Sequence, residues 1–186
     1  VAIPVLATVG GQSLTVDSSG FGADYDIRDL GDCTGNRALG VDVVFETTIP
    51  AGVTMTVSQT QETSFDASLY LLPVFPACGE GTCLAGADES SETEIGVSES
   101  VEYANTTDDE MSVFVVADAW IAPTDPTIGE GLFTMDFSWD FSAVGDTCDE
   151  AIPVDLTGGD VELFGETSSS RESDYDASSI GNCTGF

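Results

Sequence analysis

Apolar and polar residues alternate along several short segments of the chain. The clearest runs from Phe133 to Phe141, where Phe, Met and Trp alternate with Thr, Asp and Ser. A period of two puts one face of a β-strand in the core and the other in solvent. Similar alternation predicts strands at Val41–Phe45, Val53–Val57 and Met111–Val115. Further strands are predicted over residues 13–19, 67–74 and 94–105.

Turn-forming residues separate these segments. Examples are Pro50-Ala51-Gly52, residues 105–109 and residues 123–126, which are rich in Asn, Asp, Pro, Thr or Gly. No window of helical length shows a period near 3.6. Short strands separated by turns predict an all-β fold, and we expect an antiparallel β-sandwich of the jelly-roll kind.

Short motifs occur twice, in the same order and about 150 residues apart. Residues 2–5, 24–26 and 33–35 recur at 151–154, 174–176 and 183–185, and Gly10-Gly11 aligns with Gly158-Gly159. We therefore predict a β-sandwich repeat over residues 1–142, a linker at 143–146, and the beginning of the next repeat or an inter-subunit segment at 147–186. This last part, here called the tail, is too short to bury a core alone.

The repeat also bears on the cysteines, which number five. Cys148 precedes the second Ala-Ile-Pro-Val by three residues, so its counterpart in the first repeat would precede Val1. We predict disulfides between Cys148 and Cys183 and between Cys78 and Cys83. Cys33 then either has its partner before Val1 or forms a possible inter-unit disulfide. The alternative is that these are reduced, buried thiols. Disulfides in a domain of this kind indicate an extracellular or cell-surface location.

Charge excludes several functions. The chain has 34 acidic residues against three Arg, with no Lys and no His, and its net charge is −31. We expect no nucleic-acid partner, because phosphates would be repelled, and no membrane insertion, because no apolar run is long enough. Solvation in high salt, cation binding and simple solubility all remain open explanations of the acidity.

The missing residue types also limit catalysis. Without His or Lys, the chain cannot build a Ser-His-Asp triad, a histidine zinc site, a Schiff base or a P-loop. Paired carboxylates could still hydrolyse glycosides, but nothing in the sequence singles out one pair. We therefore expect no enzymatic activity.

Carboxylates at strand ends and in loops suggest a calcium site, because Ca²⁺ prefers several oxygen ligands. The candidates are Asp24, Asp26, Asp29, Asp66 and Asp88. The alternative is a solvated acidic face, which a chain this rich in acids would have by composition alone.

Two further kinds of site are suggested. Trp120, with Tyr103, could form an aromatic platform for carbohydrate, although Trp120 as a cap of the core is the favoured interpretation. Asn105 and Asn182 match the glycosylation acceptor pattern, a short pattern that often occurs by chance.

The ordered motifs resemble those of bacterial pre-peptidase C-terminal (PPC-like) domains. Residues 146–151, 174–176 and 183–185 are similar to the opening of such domains, and residues 42–45, 50–52, 65–71, 83–88 and 113–118 to their successive strands. The resemblance implies a jelly-roll-like sandwich without catalysis, found on secreted enzymes and in tandem in surface proteins. It also implies calcium binding by acidic residues near the start of the domain.

These observations together predict a non-catalytic extracellular structural or adhesive repeat module. We expect it to be a building block of a surface filament or of a long tandem-repeat protein, with copies of itself as partners. The alternative is a polysaccharide- or polymer-binding accessory module of a secreted enzyme.

Overall fold

A computed structural model describes residues 1–27, 33–36, 38–74, 83–89, 95–121 and 129–141. Within these residues the chain forms nine β-strands in two sheets and no α-helix. The strands are β1 (Ile3–Pro4), β2 (Gln12–Asp17), β3 (Val43–Ile49), β4 (Thr54–Gln61), β5 (Asp66–Pro73), β6 (Ala85–Ala87), β7 (Ser98–Ala104), β8 (Met111–Trp120) and β9 (Leu132–Asp140). The predicted all-β sandwich is confirmed.

The two sheets have the orders β1-β3-β8-β5-β6 and β2-β9-β4-β7. All pairings are antiparallel except one, because β1 runs parallel to β3 and pairs Ile3 with Phe45. The chain then crosses to the second sheet, where β2 pairs with β9 from Gln12↔Phe137 to Asp17↔Leu132. The N-terminal residues therefore contribute an edge strand to each sheet.

The main core lies between the sheets, and the alternating strands fill it as the sequence predicts. Phe133, Met135, Phe137 and Trp139 of β9 are all buried, whereas their neighbours along the strand are exposed or half-buried. The Phe137 ring meets Phe45 of the opposite sheet edge-on at 5.6 Å between centroids. Packing of this kind between two sheets is what makes the fold a sandwich.

Two strands of the first sheet are buried on both faces. Nearly every residue of β5, and residues 115–119 of β8, are inaccessible to solvent. Their outer face is covered in part by residues from the segment before β3. This second group of packed apolar residues, here called the outer cluster, comprises Ile27, Ala38, Tyr70, Leu72, Cys83 and Val116.

The strands predicted from alternation match β2 to β5 and β7 to β9 to within a few residues. Strands β1 and β6 were not predicted, since two or three residues are too few to show a period. The predicted linker and tail lie outside the described residues. Among the residues that the structure describes, no helix has the length and hydrophobicity needed to cross a bilayer.

Candidate functional site

A row of polar residues crosses the outer face of the five-stranded sheet. The strand register pairs Val43 with Ala117, Ser68 with Asp118, and Leu69 with Ala87. Because side chains alternate between faces, the outward positions at this level lie side by side on adjacent strands. They are Asp42, Asp118, Ser68 and Asp88, here called the acidic row. Asp42 and Asp118 are only 5% and 1% exposed.

Asp42 and Asp118 form a buried pair of carboxyls. Burial raises the pKa of both groups, and the interaction between them raises the pKa of Asp118 further. The backbone N–H of Ala119 and the hydroxyl of Tyr70 donate to Asp118 and oppose this rise. Two neighbouring carboxyls of this kind hold a proton between them over a pH range in which exposed carboxyls are charged.

Asp42 also anchors the N-terminal residues to the sheet. Its Oδ2 accepts hydrogen bonds from the backbone N–H groups of Asp24 and Tyr25, at 2.5 and 2.8 Å. Its own N–H donates to the carbonyl of Gly22 at 2.9 Å. Just beyond these contacts, Tyr25 and Ile27 pack into the outer cluster. One buried carboxylate thus fixes the loop that covers this face.

Asp88 lies at the other end of the acidic row. Burial, followed by the charges of Asp66 and Glu99, raises the pKa of Asp88 to about 7. Side-chain interactions with Ser68 and Asn36 favour the charged carboxylate and oppose this rise. Glu99 is itself buried, and both its carboxylate oxygens accept the N–H of Glu89, at 2.9 and 3.0 Å. Asp88 is therefore partly protonated near neutral pH.

Three oxygens of the row lack a hydrogen bond of ordinary geometry within the described part of the chain. They are Asp42 Oδ1, Ser68 Oγ and Asp88 Oδ2. Buried oxygens of this kind are satisfied by a proton, water or a cation. The row can therefore hold protons, and its oxygens are of the chemical type that a hard cation binds.

A disulfide joins Cys33 to Cys83, with the two Cα atoms 5.8 Å apart. The predicted bond between Cys78 and Cys83 is therefore wrong, and so is the assignment of Cys33 to an inter-unit bond. The short loop between Cys78 and Cys83 suggested a local bridge. Instead, the pairing of β6 with β5 brings Cys83 beside the outer face, which residues 33–36 cross.

The close approach at this bond depends on a glycine. A Cβ atom on Gly86 would lie 2.8 Å from Cys33 Sγ and 2.9 Å from Thr34 Cγ2. Only glycine lets strand β6 and the segment of residues 33–36 approach this closely. The Cys148–Cys183 prediction lies outside the described residues.

The structure places the calcium candidates in two groups. Asp24 lies beside Asp42, with Asp26 two residues further along the same segment, and Asp66 lies beside Asp88. Asp29 lies outside the described residues. In the ranges that the structure describes, no group of three or more Asp, Glu or Cys side chains is arranged to hold a metal ion. Calcium binding stays a prediction.

The aromatic candidates are not brought together. Trp120 ends β8 and is half-buried opposite Asp66 of β5. Tyr103 belongs to β7 of the other sheet and packs against the main core. Carbohydrate binding by these two residues stays a prediction, although a shared platform does not fit their positions.

Asn105 is a structural residue. It is 1% exposed, and its Nδ2 donates to the carbonyls of Ile49, Pro50 and Asp109. A glycan on this nitrogen does not fit the folded structure, which corrects the prediction at Asn105. Asn182 lies outside the described residues.

Sequence reasoning did not find Asp42, Ser68, Tyr70 or Asp118 as site residues. A signal was present, because Asp118 and Ser68 each interrupt a strongly apolar strand. A polar residue inside such a strand indicates either a partner or a covered outer face.

Several solved structures are similar to this chain. The pre-peptidase C-terminal domain of a collagenase from Bacillus anthracis has a TM-score of 0.43 and 9% identity, over 75% of this chain and 94% of that one. A periplasmic inhibitor of g-type lysozyme from Aeromonas hydrophila has a TM-score of 0.42 and 13% identity, over 75% and 96%. A surface-associated copper-binding protein of Methylomicrobium album BG8 has a TM-score of 0.39 and 12% identity, over 75% and 98%.

The first of these structures belongs to the family that the ordered motifs resemble. No protein-family model matches the sequence, and no curated relative was found. At such low identities the likeness concerns the arrangement of strands only.

Proposed function

We propose that this chain is a non-catalytic extracellular structural or adhesive module, a building block of a surface filament or of a long tandem-repeat protein. The proposal combines a disulfide-bonded sandwich with an internal repeat. A disulfide of this kind is typical of proteins in the extracellular space or the periplasm. Its proposed partners are copies of itself.

One observation carries the proposal: the repeated motifs are the ones that anchor the first copy. Residues 2–5 contain β1, residues 24–26 bind Asp42, and residues 33–35 contain the disulfide cysteine. The 186 residues therefore carry the motifs of this anchoring segment twice. Duplicated anchoring segments are expected in a chain whose units join end to end.

The buried position of the carboxyl pair supports a non-catalytic role. Glycoside hydrolysis needs two carboxyls that flank a bound sugar. Asp42 and Asp118 instead lie under the segment that contains Asp24 and Tyr25. Asp42 anchors that segment through its Oδ2.

The test is the assembly state of the oxidised 186-residue chain. We expect sedimentation velocity and electron microscopy to show oligomers or filaments that grow with protein concentration. Assembly should increase between low and high NaCl, because salt screens the repulsion between chains of charge −31. A control at each salt concentration under reducing conditions separates the contribution of the disulfide.

Two results would contradict the proposal. A chain that stays monomeric at all salt concentrations and binds a polysaccharide in pull-down assays would instead be an accessory binding module. Hydrolysis of a polysaccharide by the purified chain, lost in the Asp118→Asn variant, would make it an enzyme.

A further inference from the structure

Residues 1–36, here called the docking segment, bind the rest of the sandwich at four places. The first is at β1, where Ile3 and Pro4 pair with Phe45 and Glu46. The N–H of Val5 then donates to the carbonyl of Glu46 at 2.8 Å, and the Val5 side chain enters the main core. This contact fills part of the free edge of β3.

The second contact is a close approach at Gly11. Its φ is +69°, and a Cβ atom there would lie 2.5 Å from the carbonyl oxygen of Phe137. Glycine is required on both counts, because other residues strain at this φ and would clash with β9. Strand β2 starts at the next residue and pairs with β9 along its length.

The third and fourth contacts lie on the outer face. Asp42 accepts the N–H groups of Asp24 and Tyr25. Cys33 is bonded to Cys83, close to Gly86.

The tail repeats the residues that make these four contacts. The motif at β1 recurs at 151–154, the required glycine at Gly159, the Asp-Tyr-Asp at 174–176, and the bonded cysteine at Cys183. Positions outside the contacts differ more freely, since exposed Leu6 is replaced by Asp155. The tail therefore keeps the four contact motifs, whereas Leu14 of β2, which packs against the main core, is replaced by Glu162.

A contact with the outer cluster is also weaker in the tail. Ile27 is fully buried in the outer cluster, and the position at the same distance from the Asp-Tyr-Asp motif is Ala177. The smaller side chain buries less apolar area. The docking segment of the same chain should therefore be preferred wherever both segments compete.

We propose that residues 151–185 are a second docking segment, which binds a second copy of this chain at the place where residues 2–35 bind. The inference rests on the proposed assembly function and names its partner and its site. Exchange of similar segments between copies replaces most contacts with similar ones, so its free-energy cost is low. Repetition in the tail of the motifs that make all four contacts favours another copy of this chain as the partner.

The disulfide can follow this exchange without an oxidant. When Cys183 is a free thiolate, and therefore not bonded to Cys148, it attacks Sγ of Cys83 in the second copy, a new S–S bond forms, and Cys33 leaves as a thiolate. One disulfide is broken and one is made, so electrons and atoms balance. The new bond would link two chains covalently.

The first test uses the full chain with Cys33→Ser, which leaves Cys83 without its usual partner. Unlabelled and ¹⁵N-labelled chains are mixed and incubated with oxidised glutathione, which accepts the two electrons and becomes two thiols. We expect non-reducing peptide mapping to find a Cys83–Cys183 disulfide that contains one labelled and one unlabelled peptide. Ile27→Ala, added to this variant, should increase its yield, because it removes the advantage of the first segment.

The outcomes are distinct. A Cys83 that stays free, that bonds Cys78, or that bonds Cys183 only within one labelled population would overturn the inference. The double variant Cys33→Ser/Cys183→Ser is the control and should give no such peptide.

The second test does not depend on the cysteines. We expect Gly159→Val to weaken self-association of the otherwise wild-type chain by about tenfold or more in sedimentation velocity, because the side chain would strain the backbone and clash. Ser169→Val, outside the repeated motifs, is the matched control and should leave self-association unchanged. If the chain assembles and Gly159→Val assembles equally well, the tail inference fails while the proposed function stands. A wild-type chain that never associates overturns both.

Discussion

The hydroxyl of Tyr70 donates a hydrogen bond to Oδ2 of Asp118 at 3.0 Å, and neither side chain is exposed to solvent. Burial, followed by the neighbouring charge of Asp118, raises the pKa of Tyr70. The phenol therefore stays a donor, and it partly offsets the cost of burying the carboxyl. This bond links β5 to β8 on the face that the docking segment covers.

Tyr70→Phe removes that donor and should destabilise the domain. We expect a loss of about 1 to 3 kcal/mol in the free energy of unfolding, because Asp118 loses a buried partner. The loss should be larger at pH 8 than at pH 5, since the missing hydroxyl favours the charged form of Asp118. Urea unfolding at the two pH values measures both effects. Tyr103→Phe is the control, and an equal loss in both variants would contradict the role of this hydrogen bond.

Stability should fall as the pH rises from about 4 to about 7. The pKa of Asp88 is raised to about 7 in the folded state, so its contribution is fully present below the unfolded pKa of about 4 and is lost as the pH rises through about 7. The raised pKa values of Asp42 and Asp118 act in the same direction. Denaturant unfolding at several pH values across this range measures how steeply the free energy of unfolding falls with pH.

Asp88→Asn should flatten this dependence, because the amide does not titrate. We expect about 1 to 2 kcal/mol of the change between pH 4 and pH 7 to disappear, after allowance for solvent screening of a half-buried group. Asp136→Asn, on the exposed face of β9, is the matched control. If both variants keep the slope of the wild type, protonation of Asp88 does not control stability.

Non-reducing peptide mapping should yield a Cys33–Cys83 peptide. The bond closes a loop over a sequence separation of 50 residues, and chain entropy gives it a stabilisation of about 4 kcal/mol. Cys83→Ser should therefore lower the free energy of unfolding by about 2 to 4 kcal/mol, whereas Cys78→Ser should keep the Cys33–Cys83 peptide. A disulfide-linked Cys78–Cys83 peptide from the wild-type protein would show that the Cys33–Cys83 pairing is wrong.

Gly11→Ala should cost more stability than Gly20→Ala. Both glycines have positive φ, at +69° and +93°, but only Gly11 has a backbone atom in the space that a Cβ would occupy. The conformational cost is about 1 kcal/mol at each position, and the clash with Phe137 adds to it at Gly11. Comparing the thermal unfolding of the two variants separates the cost of the backbone conformation from the cost of the clash. Equal losses would mean that the N-terminal residues shift easily away from β9.

Calcium should raise the melting temperature if the predicted site forms. Bound Ca²⁺ stabilises the folded state by mass action, and it competes with protons for carboxylates, so the effect should grow with pH. Thermal unfolding with CaCl₂ is compared with MgCl₂ and with NaCl at matched ionic strength. Asp24→Asn and Asp88→Asn test the two groups of candidates. Equal shifts with all three salts would indicate screening alone.

Alternation was enough to predict the sandwich and most of its strands. The strand from Phe133 to Phe141 shows why, because each odd residue enters the core and each even one does not. The features that the sequence did not predict depend on tertiary contacts. The parallel pairing of Ile3 with Phe45 has too little sequence to show a period, and the joining of Cys33 to Cys83 depends on which strands become neighbours.

The acidic row illustrates the same limit. Asp42, Asp118 and Asp88 are far apart in sequence and become neighbours only through the register of four strands. Among 34 acidic residues nothing local distinguishes them, apart from the apolar strands that surround Asp118.

The position of the Cys33–Cys83 bond has a mechanical consequence. When a module is pulled from its two ends, force passes through the bond and bypasses the residues between the cysteines, which include β3, β4 and β5. About 50 residues of extended chain span roughly 170 Å, and this length stays locked even after the sheets separate. A module stretched in an oxidising medium would therefore lengthen far less, and keep more of its chain ready to refold, than the same module after reduction.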